Sequence, residues 1–161
     1  MRPSSIELRQ YFVTDLSVSV NRAYASDKPT RLVFEDIVTE HDALALKDDK
    51  LEWQIRLTVR FGQNPECNAQ YVFAIEVVGF FAVTPAVPEE RRKTFAEVNG
   101  ASMLFSTARE VLRAAMANGP FEPIVLPTVC FVDAKPETKA VGEKAPAKGL
   151  PEKRPEAEVS L

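Results

Sequence analysis

The sequence predicts an α+β domain in which a four-stranded antiparallel sheet has helices packed on one face. Apolar and polar residues alternate in four segments between residues 6 and 83, as they do in strands with one buried face. Two helical segments and a proline-interrupted apolar segment follow over residues 88–131. Strands that are followed by helices favour a sheet whose helices are segregated to one face.

The first and third strands have the clearest alternation. In residues 6–20 the apolar residues of one parity are Ile6, Leu8, Phe12, Leu16, Val18 and Val20. Residues 51–61 keep a strict period of two, which predicts one face in the core and one in water. A weaker second strand is predicted over residues 32–39. A polar link over residues 41–50 follows, with a turn at Asp48-Asp49-Lys50.

The fourth strand, residues 69–83, is apolar on both faces. Tyr71 and Phe73 belong to the face that is expected to be buried, but Val78 and Phe80 make the other face apolar as well. Large exposed apolar patches are unusual in the absence of a partner. The second face therefore needs cover, which a helix, another subunit or a bound chain can supply.

Two helices are predicted after the strands. Pro88 and the acidic pair that follows it begin a polar helix, which Asn99-Gly100 ends. Thr107 and Glu110 have the spacing of a capping box, which predicts that a second, amphipathic helix starts near Thr107.

Gly119-Pro120 ends the second helix, with Gly119 expected in the left-handed C-cap conformation. The segment after it, FEPIVLPTVCF, is apolar but contains Pro123 and Pro127, which exclude a regular helix and a central strand. This segment, the strap (residues 121–131), is therefore predicted to cover a surface rather than to build a sheet.

Length and composition favour one domain over residues 1–132 and a disordered tail over residues 133–161. The chain has 161 residues, of which 45% are hydrophobic, and this suffices for one core. Beyond residue 132 the aromatic residues stop and Lys, Glu, Pro, Ala and Gly dominate, a composition that buries too little apolar surface to become ordered.

Charge and targeting signals exclude several partners. A net charge of −3 gives no reason to expect a nucleic acid or an anionic membrane, because both attract a concentrated positive field. The first residues, MRPSSIELRQ, contain no long apolar run, so neither a signal peptide nor a membrane span is expected. The predicted location is the cytoplasm.

No catalytic, metal or cofactor site is predicted, and the protein is not expected to be an enzyme. Cys67 and Cys130 lie far apart without C-x-x-C spacing, which suits reduced thiols better than a metal site. His41 falls in the predicted polar link beside Glu40 and Asp42, and a solvated loop histidine is the favoured interpretation. A serine or cysteine nucleophile normally needs an adjacent general base, and none is apparent.

The segment FSTAREVLRAAMANGPFEPIVLPTVCF, residues 105–131, resembles the C-terminal signature of the SecB export chaperones. That signature commonly reads F-P-Y-A-R-E, then G-x-F-P, then L-x-P-x-N-F. The shared residues are Phe105, Ala108, Arg109, Glu110, Gly119, Phe121, Leu126 and Phe131. Ser106 and Thr107 stand where the family has Pro-Tyr, Glu122 replaces a proline, and Cys130 replaces the asparagine.

The first strand resembles the family's N-terminal segment Y-x-K-D-x-S-F-E. Asp15 and Ser17 are kept, whereas Thr14 replaces the lysine and Ser19 the glutamate. The family usually has a second long helix after the strap, which the composition of residues 133–161 does not predict. The resemblance covers residues 6–132.

The resemblance implies a homo-tetramer, built as a dimer of dimers, that holds unfolded preproteins in apolar grooves without ATP or a cofactor. The groove candidates are Leu32, Phe34, Val78, Phe80, Phe121 and Leu126. SecB proteins present acidic residues on the outer sheet surface to the translocation motor SecA. Asp15 and Glu76 occupy two of those positions, and the neutral Ser19 occupies a third.

Two other functions stay open. One is a specialised SecB-like chaperone with a narrow client, such as one attached to a toxin–antitoxin pair, which Ser19 favours. The other is a small enzyme or ligand-binding domain in which the groove candidates are simply core or subunit-interface residues. A monomer in solution would favour this last interpretation.

Overall fold

The computed structural model describes residues 4–32, 34–64, 66–129 and 131, with Phe34 described by its backbone alone. The predicted tail, residues 133–161, lies outside these residues. The elements are β1 (Ile6–Val20), a 3-10 helix (Phe34–Asp36), β2 (Val38–Ala45), β3 (Glu52–Phe61), β4 (Tyr71–Val83) and α1 (Glu89–Met116).

The four strands form one antiparallel sheet in the order β1-β4-β3-β2, which confirms the predicted sheet. The predicted position of the second strand is wrong, because β2 begins at Val38 and includes residues that the sequence placed in a polar link. As an edge strand, β2 exposes Glu40 and Asp42, so its composition resembles that of a loop.

Alternate residues of β3 and β4 form the core beneath α1. Side chains directly opposite on antiparallel strands share a face, and the register pairs Ile55 with Gly79 and Leu57 with Val77. The buried residues of this face in β3 and β4 are Trp53, Ile55, Leu57, Val59, Phe61, Tyr71, Phe73, Ile75, Val77, Phe81 and Val83. We call this side of the sheet the helix face and the opposite side the open face.

α1 is one continuous helix, so the predicted break at Asn99-Gly100 and the predicted second start at Thr107 are wrong. Gly100 lies where the helix approaches β3, and a Cβ there would be 2.8 Å from Ile55 Cγ1. Close packing on the sheet outweighs the ~1 kcal/mol that glycine costs in a helix interior. The Thr107 hydroxyl donates to the Met103 carbonyl oxygen at 3.3 Å rather than capping a helix.

α1 begins after Pro88, as predicted, with Glu89 and Glu90 in the first turn, where carboxylates complement the helix dipole. It ends with Ala117 in the right-handed conformation, at φ −62°. The described glycines all have negative φ, so the left-handed cap predicted at Gly119 is wrong. In the described part of the chain, no helix has the length and apolar content needed to cross a membrane.

Candidate functional site

The open face carries an apolar patch along β1 and β4, on the side of the sheet away from α1. Its members are Phe12, Val72, Ala74, Val78, Phe80 and Ala82, which we call the open patch. Phe12 and Phe80 make an edge-to-face contact with ring centroids 6.2 Å apart. Phe12 is 48% exposed, so the pair presents aromatic surface to solvent.

The first of two register shifts in β1 brings Phe12 to the open face, and the second returns the later even-numbered residues to the helix face. The strand pairs Leu8 with Phe81 on the helix face but Phe12 with Val78 on the open face, and the shifts follow Leu8 and Val13. A shift of one residue turns every later side chain to the other face. The single alternation predicted for β1 is therefore wrong, because it placed Phe12 on the same face as Leu8 and Leu16.

Val78 lies at the centre of the open patch. Phe12 opposes it on β1 and Arg56 on β3, so its neighbours cover it and leave it 8% exposed. Phe80 is half-buried beside it. Of these two sequence candidates, Phe80 offers the larger contact surface, and Val78 supports the surrounding side chains.

The two acidic candidates, Asp15 and Glu76, lie opposite each other on β1 and β4. The Thr14 hydroxyl donates to Glu76 Oε1 at 2.7 Å. Ser19 opposes Val72 on the same face, toward the end of β1. Like charges directly opposite in a sheet repel, a cost that a basic partner would relieve.

Exposed ion pairs border the open patch. Arg60 lies 2.6 Å from Glu40 across β2 and β3. Glu52 lies 2.9 Å from Lys47 and 3.4 Å from Arg9. Such pairs contribute little stability, but an apolar centre with a polar rim is the usual anatomy of a protein-binding surface.

The strap is attached to the helix face through Tyr71. The Tyr71 hydroxyl donates to the Phe121 carbonyl oxygen at 2.7 Å and accepts from the Phe121 N–H at 3.0 Å. Gly119 makes room for it, since a Cβ there would be 2.5 Å from the phenol oxygen. Tyr24, from the loop after β1, packs on Phe121 with ring centroids 4.9 Å apart.

The groove candidates therefore do not form one cluster. Leu32 and Phe121 are partly buried against the core of the helix face, opposite to the open patch. Leu126 is 2% exposed and belongs to that core, so it offers no surface while the strap is seated. The side chain of Phe34 lies outside the described residues.

His41 lies in β2 and not in the polar link where the sequence placed it. The register pairs it with Leu57, so it belongs to the helix face. Its ring packs on Phe131 with centroids 5.0 Å apart, and its Nε2 lies 3.7 Å from Glu97 Oε1 of α1. The histidine is exposed, but it lies in a strand and contacts the end of the strap, so its predicted placement in a loop is wrong.

Cys67 is a buried free cysteine between β3 and β4. Its thiol donates to Asp36 Oδ2 at 2.9 Å. Burial, together with this hydrogen bond, raises the pKa of the Cys67 thiol to about 11. The thiol stays protonated at neutral pH and is a poor nucleophile. Among the described residues, no three His, Cys, Asp or Glu side chains are grouped to hold a metal ion.

These features define an α+β domain whose single sheet has one face under a helix and a strap and the other face open. The chain belongs to the SecB family, because the family model described as preprotein translocase subunit SecB matches residues 2–134. A curated relative, the protein-export protein SecB of Xanthobacter autotrophicus, is 30% identical over 80 residues. That match spans 50% of this chain and 51% of the relative, about half of its length.

Among solved structures, the fold is similar to that of a SecB-like chaperone of Mycobacterium tuberculosis, in complex with a ChAD peptide from the HigA1 antitoxin. The similarity has a TM-score of 0.54 at 16% sequence identity and covers 78% of this chain and 91% of the other. At this identity the similarity supports the fold alone.

Proposed function

We propose that this protein is an ATP-independent holding chaperone that binds unfolded preproteins in the cytoplasm and supports Sec-dependent export, without catalysis of its own. Membership of the SecB family supports the class. The observation that carries the proposal is the open patch, which displays an aromatic pair on a sheet face that α1 and the strap leave uncovered. An unfolded chain supplies apolar segments of many sequences, and such a patch can bind them without sequence-specific contacts.

The energetics suit adaptable binding. Burying about 400 Å² of client apolar surface yields on the order of 10 kcal/mol, most of which the ordering of the client offsets. The Phe80 and Val78 side chains would contact clients on the open face, and Leu32 and Phe121 on the other side of the sheet. Phe34 stays a proposed client contact that rests on the family resemblance. Leu126 would contact clients only after the strap lifts, because it is buried with the strap in place.

The motor that would receive clients is a SecA-like translocation protein, docking at Asp15 and Glu76. The support is that the two acidic residues lie directly opposite each other on the open face. Replacing both with their amides, Asp15→Asn and Glu76→Gln, should weaken binding to a purified SecA-type motor while leaving client binding intact. If the double variant bound the motor as tightly as the wild-type chain does, the two acids would not belong to the docking surface.

We further propose a homo-tetramer built as a dimer of dimers. β1 offers a second copy an edge of 15 residues to which no described strand is paired. Its helix-face side chains include the exposed Tyr11, Val13, Leu16 and Val20. Light scattering after gel filtration should give four times the mass of the chain, and a monomer would contradict the assembly and favour a ligand-binding domain.

A specialised chaperone with a narrow client, such as a toxin–antitoxin pair, is the second candidate. Ser19 supports it, because this neutral residue leaves only two of the three proposed SecA-contact positions, Asp15 and Glu76, with a carboxylate. The solved relative in complex with an antitoxin peptide is similar in fold. A narrow-client chaperone would bind one antitoxin tightly and unrelated unfolded chains weakly.

The test of the main proposal is a fluorescence anisotropy titration without ATP. The probe is labelled α-lactalbumin that has been reduced and carboxymethylated, which keeps it unfolded, and the control probe is the same protein in its native form. Binding of the unfolded form alone supports the holding chaperone. Equal binding, or no binding, of the two forms by a folded sample would contradict it.

A further inference from the structure

The loop between β1 and the 3-10 helix is bonded to the β3–β4 hairpin along its length. Near its start, the Asn21 side-chain amide donates to the Ala69 carbonyl oxygen at 2.8 Å. Near its end, the Arg31 N–H donates to the Cys67 carbonyl oxygen at 2.8 Å. The middle of this crossover loop, which we define as residues 21–32, is held by one side chain of the hairpin, that of Asn68.

Asn68 is 8% exposed and bonds through both ends of its amide. Its Oδ1 accepts from the Ala25 N–H at 2.9 Å, and its Nδ2 donates to the carbonyl oxygens of Ala25 at 2.9 Å and Lys28 at 2.8 Å. The Thr30 hydroxyl adds a bond to the Asn68 carbonyl oxygen at 3.1 Å. Four hydrogen bonds therefore join one buried residue to three positions of the loop.

The backbone of Asn68 also selects this residue type. Its φ is 44°, in the left-handed region that asparagine adopts more readily than most other residues with a side chain. Glycine would fit this backbone but would remove the three side-chain bonds. Aspartate would keep the acceptor for Ala25 and remove the two donors.

The crossover loop carries two side chains toward the strap side of the sheet. Tyr24 packs on Phe121, and Leu32 packs against the core of the helix face. Tyr71 also holds Phe121, because its hydroxyl bonds to the Phe121 backbone and the two ring centroids lie 6.2 Å apart. The position of the loop thus decides whether Phe121 has aromatic contacts with both Tyr24 and Tyr71 or with Tyr71 alone.

We propose that Asn68 is a positioning residue for client binding, which fixes the crossover loop so that Tyr24 holds Phe121 in the orientation that contacts clients. The inference rests on the proposed function, with Leu32 and Phe121 as client contacts. Asn68 itself is buried and acts through the loop.

The test compares Asn68→Gly with the wild-type chain in the anisotropy titration with reduced, carboxymethylated α-lactalbumin. Loss of three side-chain hydrogen bonds should raise the dissociation constant about tenfold, because the loop would then occupy its binding-competent position only about one-tenth of the time. Trypsin should also cut the loop faster after Arg22 and Arg31, both of which are exposed. Gln63→Gly is the matched control, because Gln63 is an exposed residue of the same hairpin that bonds to no described residue of the loop.

A double-mutant cycle separates positioning from general stabilisation. If Asn68 acts through Tyr24, Asn68→Gly should add no further loss of client binding to a Tyr24→Ala variant, while still accelerating trypsin cleavage of the loop. Asn68→Asp should bind clients with an affinity between those of the wild type and Asn68→Gly. It replaces Asn68→Gly in the test if circular dichroism finds that variant unfolded.

Two results would overturn the inference while leaving the proposed function intact. One is wild-type affinity in a folded Asn68→Gly variant, and the other is a full additional loss of binding in the Tyr24→Ala background. Failure of the wild-type chain to bind the unfolded probe would instead contradict the proposed function, and the inference would fall with it.

Discussion

Phe80 and Phe81 are neighbours on β4, yet they lie in opposite surroundings. Phe81 is 1% exposed on the helix face, where its ring lies 2.7 Å from the point at which a Cβ on Gly79 would stand. Phe80 lies half-buried on the open face, where its aromatic neighbour among the described residues is Phe12. A phenylalanine side chain therefore contributes to folding on one side of the sheet, at Phe81, and is available for binding on the other, at Phe80.

The difference between the two faces shows which apolar residues the fold requires. The helix-face residues of β3 and β4 are covered by α1 and the strap, so folding alone accounts for their apolar character. The open patch gains no such cover from the described residues, and its apolar character is a cost to solubility unless another chain buries it. The two faces should thus respond differently to matched substitutions.

The largest expected effect comes from the helix face. Phe81→Ala should lower the free energy of unfolding by about 3–5 kcal/mol, because it removes a fully buried ring and leaves a cavity beneath α1. Urea denaturation followed by circular dichroism measures it. Phe80→Ala is the matched control and should cost much less, and equal losses would show that both faces are core.

The thiol of Cys67 tests how far the buried core extends into the β3–β4 hairpin. In a Cys130→Ser background at about pH 8, a disulfide reagent should react roughly a hundredfold more slowly with the folded chain than with the chain in denaturant, since burial raises the pKa of Cys67 from 9.0 to about 11.

The same pKa difference gives a pH dependence of stability. Below pH 9 the folded and unfolded chains both keep the Cys67 proton, and the stability due to the protonated thiol is fully present. As the pH rises from 9 toward 11, the unfolded chain alone releases the proton, so this stability is lost. In the experiment with the disulfide reagent, equal reaction rates in the folded and unfolded chains would contradict the burial of the thiol.

Substitution on the open face should affect binding rather than folding. Phe80→Asp should weaken binding of an unfolded polypeptide about tenfold or more, because it adds a charge to the apolar patch. Its circular dichroism spectrum should stay that of the wild type. Leu46→Asp, which alters an exposed apolar residue outside the patch, is the control. An unfolded Phe80→Asp variant would assign Phe80 to the core and remove it from the binding surface.

A smaller effect is expected where the strap joins the helix face. Tyr71→Phe removes the hydroxyl that both donates to and accepts from the Phe121 backbone, which should cost about 1 kcal/mol and loosen the strap. Hydrogen exchange at the Phe121 amide should accelerate more than exchange within β3. Uniform acceleration across the chain would mean that the hydroxyl supports the whole fold and not the strap in particular.

The smallest effect belongs to the rim of the open face. Arg60→Ala breaks the ion pair with Glu40, in which both side chains are more than half exposed. The free energy of unfolding should change by less than about 0.5 kcal/mol, because solvent screens such pairs. A loss above 1 kcal/mol in urea denaturation would mean that the rim contributes to folding after all.

The sequence predicted correctly those parts of the fold in which one strong local pattern determines the structure. The strict alternation of residues 51–61 and the two apolar faces of residues 69–83 predicted β3 and β4, and the prolines predicted a strap without regular structure. Gly100 misled the helix prediction, because its role is set by the distance to Ile55 on another element, which no local pattern contains.

The shifts in β1 did have a local signal. Gln10 and Thr14 are polar at positions where uninterrupted alternation requires apolar residues, and the shifts occur beside them. Tyr11 and Val13 are apolar in the opposite parity, as a strand with two bulges requires. Allowing for these bulges would have placed Phe12 on the open face beside Phe80. The contacts of His41 with Glu97 and Phe131 depend on tertiary packing and left no such signal.

The most direct test of the holding function is light scattering. An aggregation-prone protein is unfolded chemically and diluted into buffer without ATP, with and without a stoichiometric amount of this protein. Suppressed scattering is the result expected if the protein holds unfolded clients. Unchanged scattering, from a sample that circular dichroism finds folded, would contradict the holding function and leave the SecB family relationship as one of fold alone.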